Sequence, residues 1–353
     1  MEAPETTHET VVGDARSLSA VSDDSVELVV TSPPYPMVEM WDDQFADLSS
    51  DAADALAAEE GTAAWDAMHD ALADVWAEVD RVLVEGGIAC VNVGDATRTV
   101  GDRFRVYPNH SRVVEEFVAL DFDPLPEILW RKPANSAAKF MGSGMVPPNA
   151  YATLEHEYLL VFRNGESRSF EPGADHRYGS AYFWEERNEW FSDVWTDVRG
   201  NLQGLDDGPR ERSAAFPFEI PYRLINMYSV YGDTVLDPFW GTGTTSLAAM
   251  VAGRNSIGVE IDGAFCDVFD ERVSAVPDLS RAVARDRLAA HREFVVEADD
   301  LSYEATHYDT RVKTKQETDI RFYEVEAVER TDSGYRLDHA PVEGRVSGQS
   351  PNL

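Results

Sequence analysis

Thr234-Val235-Leu236-Asp237-Pro238-Phe239-Trp240-Gly241-Thr242-Gly243-Thr244-Thr245 decides how this chain folds. A short apolar run ends in an acid, crosses a turn with two glycines and opens into an alanine-rich helical stretch, Ser246 to Ala252. Strand, carboxylate, glycine turn and helix in that order form the nucleotide-binding corner of a doubly wound α/β sheet. Glycine lets the backbone approach a ligand where a Cβ would clash. The spacing matches neither the dinucleotide fingerprint nor the Gly-Lys-Ser/Thr ending of a phosphate loop. Those ligands present pyrophosphate, whereas Asp237 at a strand end favours a ligand that carries positive charge. Asn255-Ser256-Ile257-Gly258-Val259-Glu260 reads as a second such strand, and Glu260 at its end suits the hydroxyls of a ribose.

Far upstream, Val26-Glu27-Leu28-Val29-Val30 has the β-branched, apolar character of a buried strand. It runs into Thr31-Ser32-Pro33-Pro34-Tyr35, where the prolines end the ladder because they donate no N–H and restrict the preceding residue. The rim of the sheet then presents the Ser32 hydroxyl, the Pro33 carbonyl and the face of Tyr35. Two acceptors beside a stacking ring suit a planar base with an exocyclic amine. Alone, a Pro-Pro-Tyr triplet is an ordinary turn. Beside a cofactor corner it becomes chemistry.

Together these segments resemble the S-adenosylmethionine-dependent DNA amino-methyltransferases. Their order, Ser-Pro-Pro-Tyr before the glycine turn, is that of the β class, which is circularly permuted relative to other methyltransferases. Val12-Gly13-Asp14-Ala15-Arg16 resembles the segment whose acid, Asp14, meets the adenine of the cofactor. Arg81-Val82-Leu83, Gly86-Gly87, Val93-Gly94-Asp95, His156 to Phe162, and Phe216-Pro217 before Pro221 to Ile225 are similar to further elements of the class. The resemblance covers roughly residues 10 to 265. It implies a circularly permuted Rossmann-like methyltransferase sheet, S-adenosylmethionine as cofactor and double-stranded DNA as partner. By the same resemblance the catalytic residues are Ser32, Pro33, Pro34 and Tyr35. The cofactor residues are Asp14, Phe216, Asp237, Pro238, Phe239, Gly241, Gly243, Thr244 and Glu260.

In that family Ser-Pro-Pro-Tyr goes mostly with the N4 amine of cytosine, and Asp-Pro-Pro-Tyr mostly with the N6 amine of adenine. Cytosine is therefore expected and adenine is the alternative. Similar haloarchaeal enzymes include orphan methylases of the palindrome CTAG, which makes CTAG the expected site. A cognate restriction endonuclease and an orphan enzyme both stay open, as does the oligomeric state. A non-catalytic DNA-binding protein on a retired methyltransferase fold is a further alternative, although tetrapeptide and glycine turn both read as intact. An RNA amino-methyltransferase is another, though those usually carry an RNA-binding module and the unpermuted order.

Composition adds a solvent. The net charge is -35, with 65 acidic against 30 basic residues, and the only lysines are Lys132, Lys139, Lys313 and Lys315. Such a balance opposes phosphate binding in dilute buffer, but fits a haloarchaeal-type protein working in multimolar salt, where repulsion is screened within a few ångström. Cys90 and Cys266 have no partner at ligand spacing, so neither a metal nor a disulfide is expected. Carbon-5 cytosine methylation needs a Pro-Cys nucleophile, which is missing; transfer to an amine remains. No segment has the length of a membrane span, and Met1 to His8 has no apolar signal core, so a cytoplasmic chain is expected.

Along the chain, residues 1–9 read as disordered, 10–162 as the catalytic half and 213–295 as the cofactor half. Residues 36–64 read as an acidic insertion without strong periodicity. Trp65, Met68, Leu72, Val75, Val79 and Val82 mark one face of a helix, which Gly86-Gly87 should stop. Basic residues thicken from Arg98 to Lys139, and Arg131, Lys132 and Lys139 are expected to face DNA. Ala134 to Ala150 reads as a mobile loop over the pocket. Residues 163–212 interleave Arg168, Arg177 and Arg187 with aromatic rings, the pattern expected of an inserted target-recognition region, or of a subdomain with a small core. Residues 296–353 read as a small C-terminal β appendage, with a strand near Asp319 to Val328 and a turn at Asp332-Ser333-Gly334.

Overall fold

Val26–Thr31, the run read as a buried strand, lies in the middle of a ten-stranded sheet. The computed structural model describes residues 2–132, 147–148, 151–198 and 216–343. In chain order its first strands are β1 (Glu5–Val12), β2 (Val26–Thr31), β3 (Leu83–Val93), β4 (Ala96–Val100), β5 (Arg103–Tyr107), β6 (Phe122–Arg131) and β7 (His156–Asn164). There follow β8 (Val194–Trp195), β9 (Thr234–Asp237), β10 (Asn255–Glu260), β11 (Tyr303–Glu304), β12 (Arg311–Val312), β13 (Tyr323–Arg330) and β14 (Gly334–Pro341). The helices are α1 (Asp42–Leu48), α2 (Ser50–Ala57), α3 (Gly61–Val82), α4 (Asn109–Ala119) and α5 (Asp175–Gly179). The remainder are α6 (Trp184–Trp190), α7 (Glu219–Tyr228), α8 (Thr244–Ala252), α9 (Ala264–Val273) and α10 (Val276–Glu297).

The sheet order is β13-β14-β1-β10-β9-β2-β3-β7-β6-β8. Strands β1, β10, β9, β2 and β3 are parallel, while β7 runs antiparallel to both β3 and β6. Side chains of one strand serve both faces, as a strand covered on both sides requires. Leu28 and Val30 join Cys90, Leu224 and Leu247 in the core under α7 and α8, whereas Val29 joins Val91, Met68, Leu72 and Val75 under α3. This is a Rossmann-like α/β fold. The permutation is visible in space, because β9 and β10 sit between β1 and β2. The two halves expected as neighbours are therefore interleaved in one sheet.

Several expectations need correction. Residues 5–9 are not disordered: β1 pairs with β10 on one side and β14 on the other. Its buried positions are Thr6 and His8, whose side chains bond to each other at 2.9 Å, so hydropathy alone misses the strand. The C-terminal hairpin is no appendage either, since β13 and β14 extend the main sheet beside β1. A bulge between Val325 and Ala327 interrupts its register. The predicted helix is present as α3, but it ends at Val82, and Gly86-Gly87 lie inside β3. Gly86 adopts φ +76° there, and a Cβ on it would come within 2.6 Å of the backbone of Glu166 and Arg168. Residues 36–64 are mostly helical, in α1, α2 and the start of α3. Among the described residues no helix is long and apolar enough to cross a membrane.

Candidate active site

The parallel strands end at one rim, and most of the expected site gathers there. Thr31 closes β2 and Asp237 closes β9. The Thr31 hydroxyl donates to Asp237 Oδ1 at 2.7 Å, the Thr245 hydroxyl donates to Oδ2 at 2.7 Å, and the Phe239 N–H donates to Oδ1 at 3.1 Å. The carboxylate thus clasps the catalytic strand to the glycine turn. Burial pushes its pKa up from 3.8 to about 6 against the pull of these donors. Asp237 was expected to face a cationic ligand; it does not line the adjoining cleft, because both oxygens are held inside the fold.

That cleft opens to solvent, and about 760 Å³ of unfilled space, open solvent included, lies in and over it. Its walls include Asp14, Ser32, Pro34, Pro238, Phe239, Gly241 and Glu260. Glu260 is fixed by two backbone donors, Gly241 N–H at 2.8 Å and Asp262 N–H at 3.0 Å. Asp14 receives Arg16 through Nε at 3.0 Å and Nη2 at 2.7 Å, and that guanidinium holds its carboxyl below the ordinary value. Gly243 and Thr244 lie outside the cleft. Gly243 has φ +74°, and a Cβ there would meet the Phe269 ring at 2.3 Å, so its role is packing under the turn. Phe216 is buried in the core under α7.

The sequence reading missed one wall entirely. Trp41, Gln44, Phe45 and Leu48, on α1 and the turn before it, line the cleft with Leu72 and Val75 of α3. Gln44 Oε1 is buried with no hydrogen-bond partner among the described residues. An apolar wall, an orphaned acceptor and the two acidic groups fit a ligand with a flat aromatic part, hydroxyls and amino groups.

Beside the cleft lies a hydroxyl chain. Tyr35 Oη donates to Glu157 Oε2 at 3.0 Å and accepts from Asn92 Nδ2 at 2.8 Å. Asn92 Nδ2 also donates to Glu157 Oε2 at 2.8 Å. Burial, then the Glu157 charge, raises the Tyr35 pKa well above its ordinary value, so the phenol keeps its proton. That single proton is committed to Glu157. The Ser32 Oγ–Tyr35 Oη contact of 3.1 Å must then run from serine to tyrosine; Asn92 Nδ2 approaches Ser32 Oγ at 3.5 Å, and a lone pair of Ser32 is left to accept. Neither Asn92 nor Glu157 was singled out as functional, since their contacts with Tyr35 span 57 and 122 positions. Gly94 lets the Tyr35 ring approach: a Cβ there would stand 3.0 Å from it. Pro33 and Pro34 are both buried, Pro34 with an edge on the cleft.

Of the cations expected on DNA, Arg131 and Lys132 stand at the catalytic rim, where β6 ends beside the start of β7. Lys132 is ion-paired with Glu157 and lies 4.5 Å over the Trp130 ring. Arg131 meets Glu155 at 3.2 Å, and Lys139 lies outside the described residues. Because β7 runs antiparallel, the segment after Asn164 begins at the opposite rim. There Arg168 grips Asp233, just before β9, at 2.7 Å. Arg168 and Arg177 flank the Phe170 ring at 5.1 and 4.8 Å, and Arg187 shares their groove. That groove, which Gly86 and Val230 also line, belongs to the rim opposite Ser32. Trp190 and Trp195 are buried in the main core, which favours the packing role for those aromatics.

Comparison with known proteins agrees with this geometry. A profile of the DNA methylase family matches residues 26–271. The chain is 49% identical over 322 residues to the type II methyltransferase M.MthZI of Methanothermobacter thermautotrophicus, covering 90% of each chain. With the type II methyltransferase M.MjaI of Methanocaldococcus jannaschii it shares 49% identity over 279 residues, 76% of this chain and 91% of the other. Its structure is similar to a DNA modification methylase of Thermus thermophilus complexed with S-adenosyl-L-methionine, at TM-score 0.59 and 32% identity, covering 75% and 93% of the two chains. A PvuII DNA methyltransferase (cytosine-N4-specific) superposes at TM-score 0.50 and 17% identity over 76% and 89%, a likeness of fold alone.

Proposed function

The chain belongs to the DNA methylase family, and from that membership we propose that it methylates the N4 amine of cytosine in duplex DNA, with S-adenosylmethionine as donor. The observation that carries this reading is the directed chain Ser32–Tyr35–Glu157 beside the cleft. Bound in the cleft, S-adenosylmethionine supplies an electrophilic methyl group. Glu260 and Asp14 would hold its hydroxyls and adenine, with Phe239 and the wall of α1 against its apolar parts.

An exocyclic amine is a poor nucleophile because its lone pair is delocalised into the ring. The Ser32 hydroxyl, its proton turned toward Tyr35, accepts one hydrogen of that amine; the Pro33 carbonyl accepts the other. Both draw the nitrogen toward tetrahedral geometry and free its lone pair. The target atom is inaccessible inside a duplex, so the base must be extruded into the site. The ring of Tyr35, pinned through its hydroxyl, is then a stacking surface that does not have to be ordered first.

A serine in place of an acid in the tetrapeptide supports cytosine over adenine through the family correlation, and CTAG is proposed as the site on the same basis. Nucleoside mass spectrometry of duplex DNA, incubated with protein and cofactor in multimolar KCl, tests the reading. N4-methylcytosine is expected. N6-methyladenine would keep the mechanism and overturn the choice of base, and unmodified DNA would overturn the activity.

A further inference from the structure

Between the catalytic rim and α4 the chain builds a two-stranded ribbon, β4 and β5, that belongs to no other sheet. It leaves the C-terminal end of β3, so it stands at the rim that carries Ser32. Asn109, just beyond it, donates to the carbonyls of Pro36 and Gly94, each at 3.0 Å, and fastens its base beside the tetrapeptide. The register sets Thr97 opposite Val106 and Thr99 opposite Phe104, which puts these four side chains on one face. All four are exposed, Phe104 at 41% and Val106 at 44%.

The other face is occupied. Arg98 makes a two-pronged contact with Asp42 at 2.7 and 2.6 Å, Arg105 reaches the Thr62 hydroxyl at 2.6 Å, and Tyr107 is buried. Among the described residues the outer face has only Tyr151, itself exposed, stacked on Phe104 with centroids 4.5 Å apart. In a chain of net charge -35, the ribbon holds three arginines, Arg98, Arg103 and Arg105, against Asp102 alone. The carboxylates beside it, Asp42 and Glu59, meet its inner face and its turn.

We propose that the outer face of this ribbon reads base edges in the major groove next to the modified base, with Phe104 and Val106 on thymine methyl groups. This rests on the reading of DNA as substrate. A major groove admits a two-stranded ribbon, and apolar side chains and threonine hydroxyls are the groups that meet thymine methyls and base edges there. The face carries no charge of its own and therefore suits bases better than phosphates. Sequence reading then sits on residues 96–107, and residues 163–198, the described part of 163–212, have no need to supply it.

The test uses in-vitro amplified DNA, free of methylation, in multimolar KCl. Sequencing locates the modified positions, and kcat/KM is measured at the preferred site and at sites altered in one base pair. Phe104→Ala should lower kcat/KM at the preferred site about tenfold and reduce its preference over altered sites about fivefold, with cofactor affinity and Tm unchanged. Thr99→Ala, which removes only an exposed hydroxyl and methyl, should lower the preference in the same direction. Unchanged preference in both variants would overturn the proposal. So would a variant that halves the particle mass in light scattering yet keeps its specificity, which would assign the face to a second copy of the chain. Wild-type protein that binds cofactor and modifies no DNA would fail the functional reading first, and this one with it.

Discussion

At the rim where β2, β9 and β10 end, Ser32, Tyr35 and Glu157 form one hydrogen-bonded set, and Asp237 ties β2 to the glycine turn. At the opposite rim, Arg168, Arg177 and Arg187 share a groove with Phe170, Tyr178 and Trp184. Residue type alone ranks the second group as the better reader of nucleic acid. Strand direction sets that group apart from the tetrapeptide, because β7 delivers residue 165 to the rim from which the parallel strands start. A candidate site is located by where its strands end as much as by what it contains.

The largest effect expected of any single change is at Tyr35. Tyr35→Ala should abolish turnover while cofactor affinity stays within about threefold, since the ring serves the base and not the cleft. Equal loss of cofactor binding, measured by calorimetry, would merge two roles that are separate here. Next comes the clasp. Asp237→Ala leaves the buried Thr31 hydroxyl without its acceptor, at about 1–3 kcal/mol, and leaves Thr245 only the Val30 carbonyl at 3.3 Å; a denaturant titration should show that loss. No loss would mean that the strand and the turn hold together without it.

The same carboxylate gives a pH test. Its folded pKa, about 6, lies above the ordinary 3.8, so the proton is held more tightly in the folded state. The stability it contributes is complete below pH 3.8, declines as pH rises and is lost above about 6. Asp237→Asn does not titrate, so its stability relative to wild type should improve by up to about 3 kcal/mol across that window. A flat difference would show that the group is not desolvated. The smallest effect is expected at the opposite rim, where Arg177→Ala with Arg187→Ala should change DNA methylation less than about twofold. A loss comparable to that of Phe104→Ala would restore the region to DNA recognition.

Much of this was legible in the chain. Strand, acid, glycine turn and helix at 234–252 predict the cofactor corner, and the apolar run before Ser32 predicts a strand that is buried on both faces. The wall of the cleft was legible in part, since Trp41, Phe45 and Leu48 recur at helical spacing, but the acidic residues around them hide the pattern. The first part of β1, residues 5–9, could not be read from hydropathy because its buried side chains, Thr6 and His8, are polar and bonded within the sheet. The orientation of Ser32 depends on Glu157, 122 positions from Tyr35, a contact that no local pattern encodes. The ribbon was visible only as three arginines between two threonines and a phenylalanine; that they face opposite ways is a matter of register.

Hydrogen–deuterium exchange on the intact chain, alone, with S-adenosylmethionine and with cofactor plus duplex DNA, tests the division between the rims most directly. Cofactor should protect residues 13–16, 41–48 and 238–241, and DNA should add protection at 96–107 while 165–190 stay unchanged. Protection by DNA at 165–190 with none at 96–107 would contradict it.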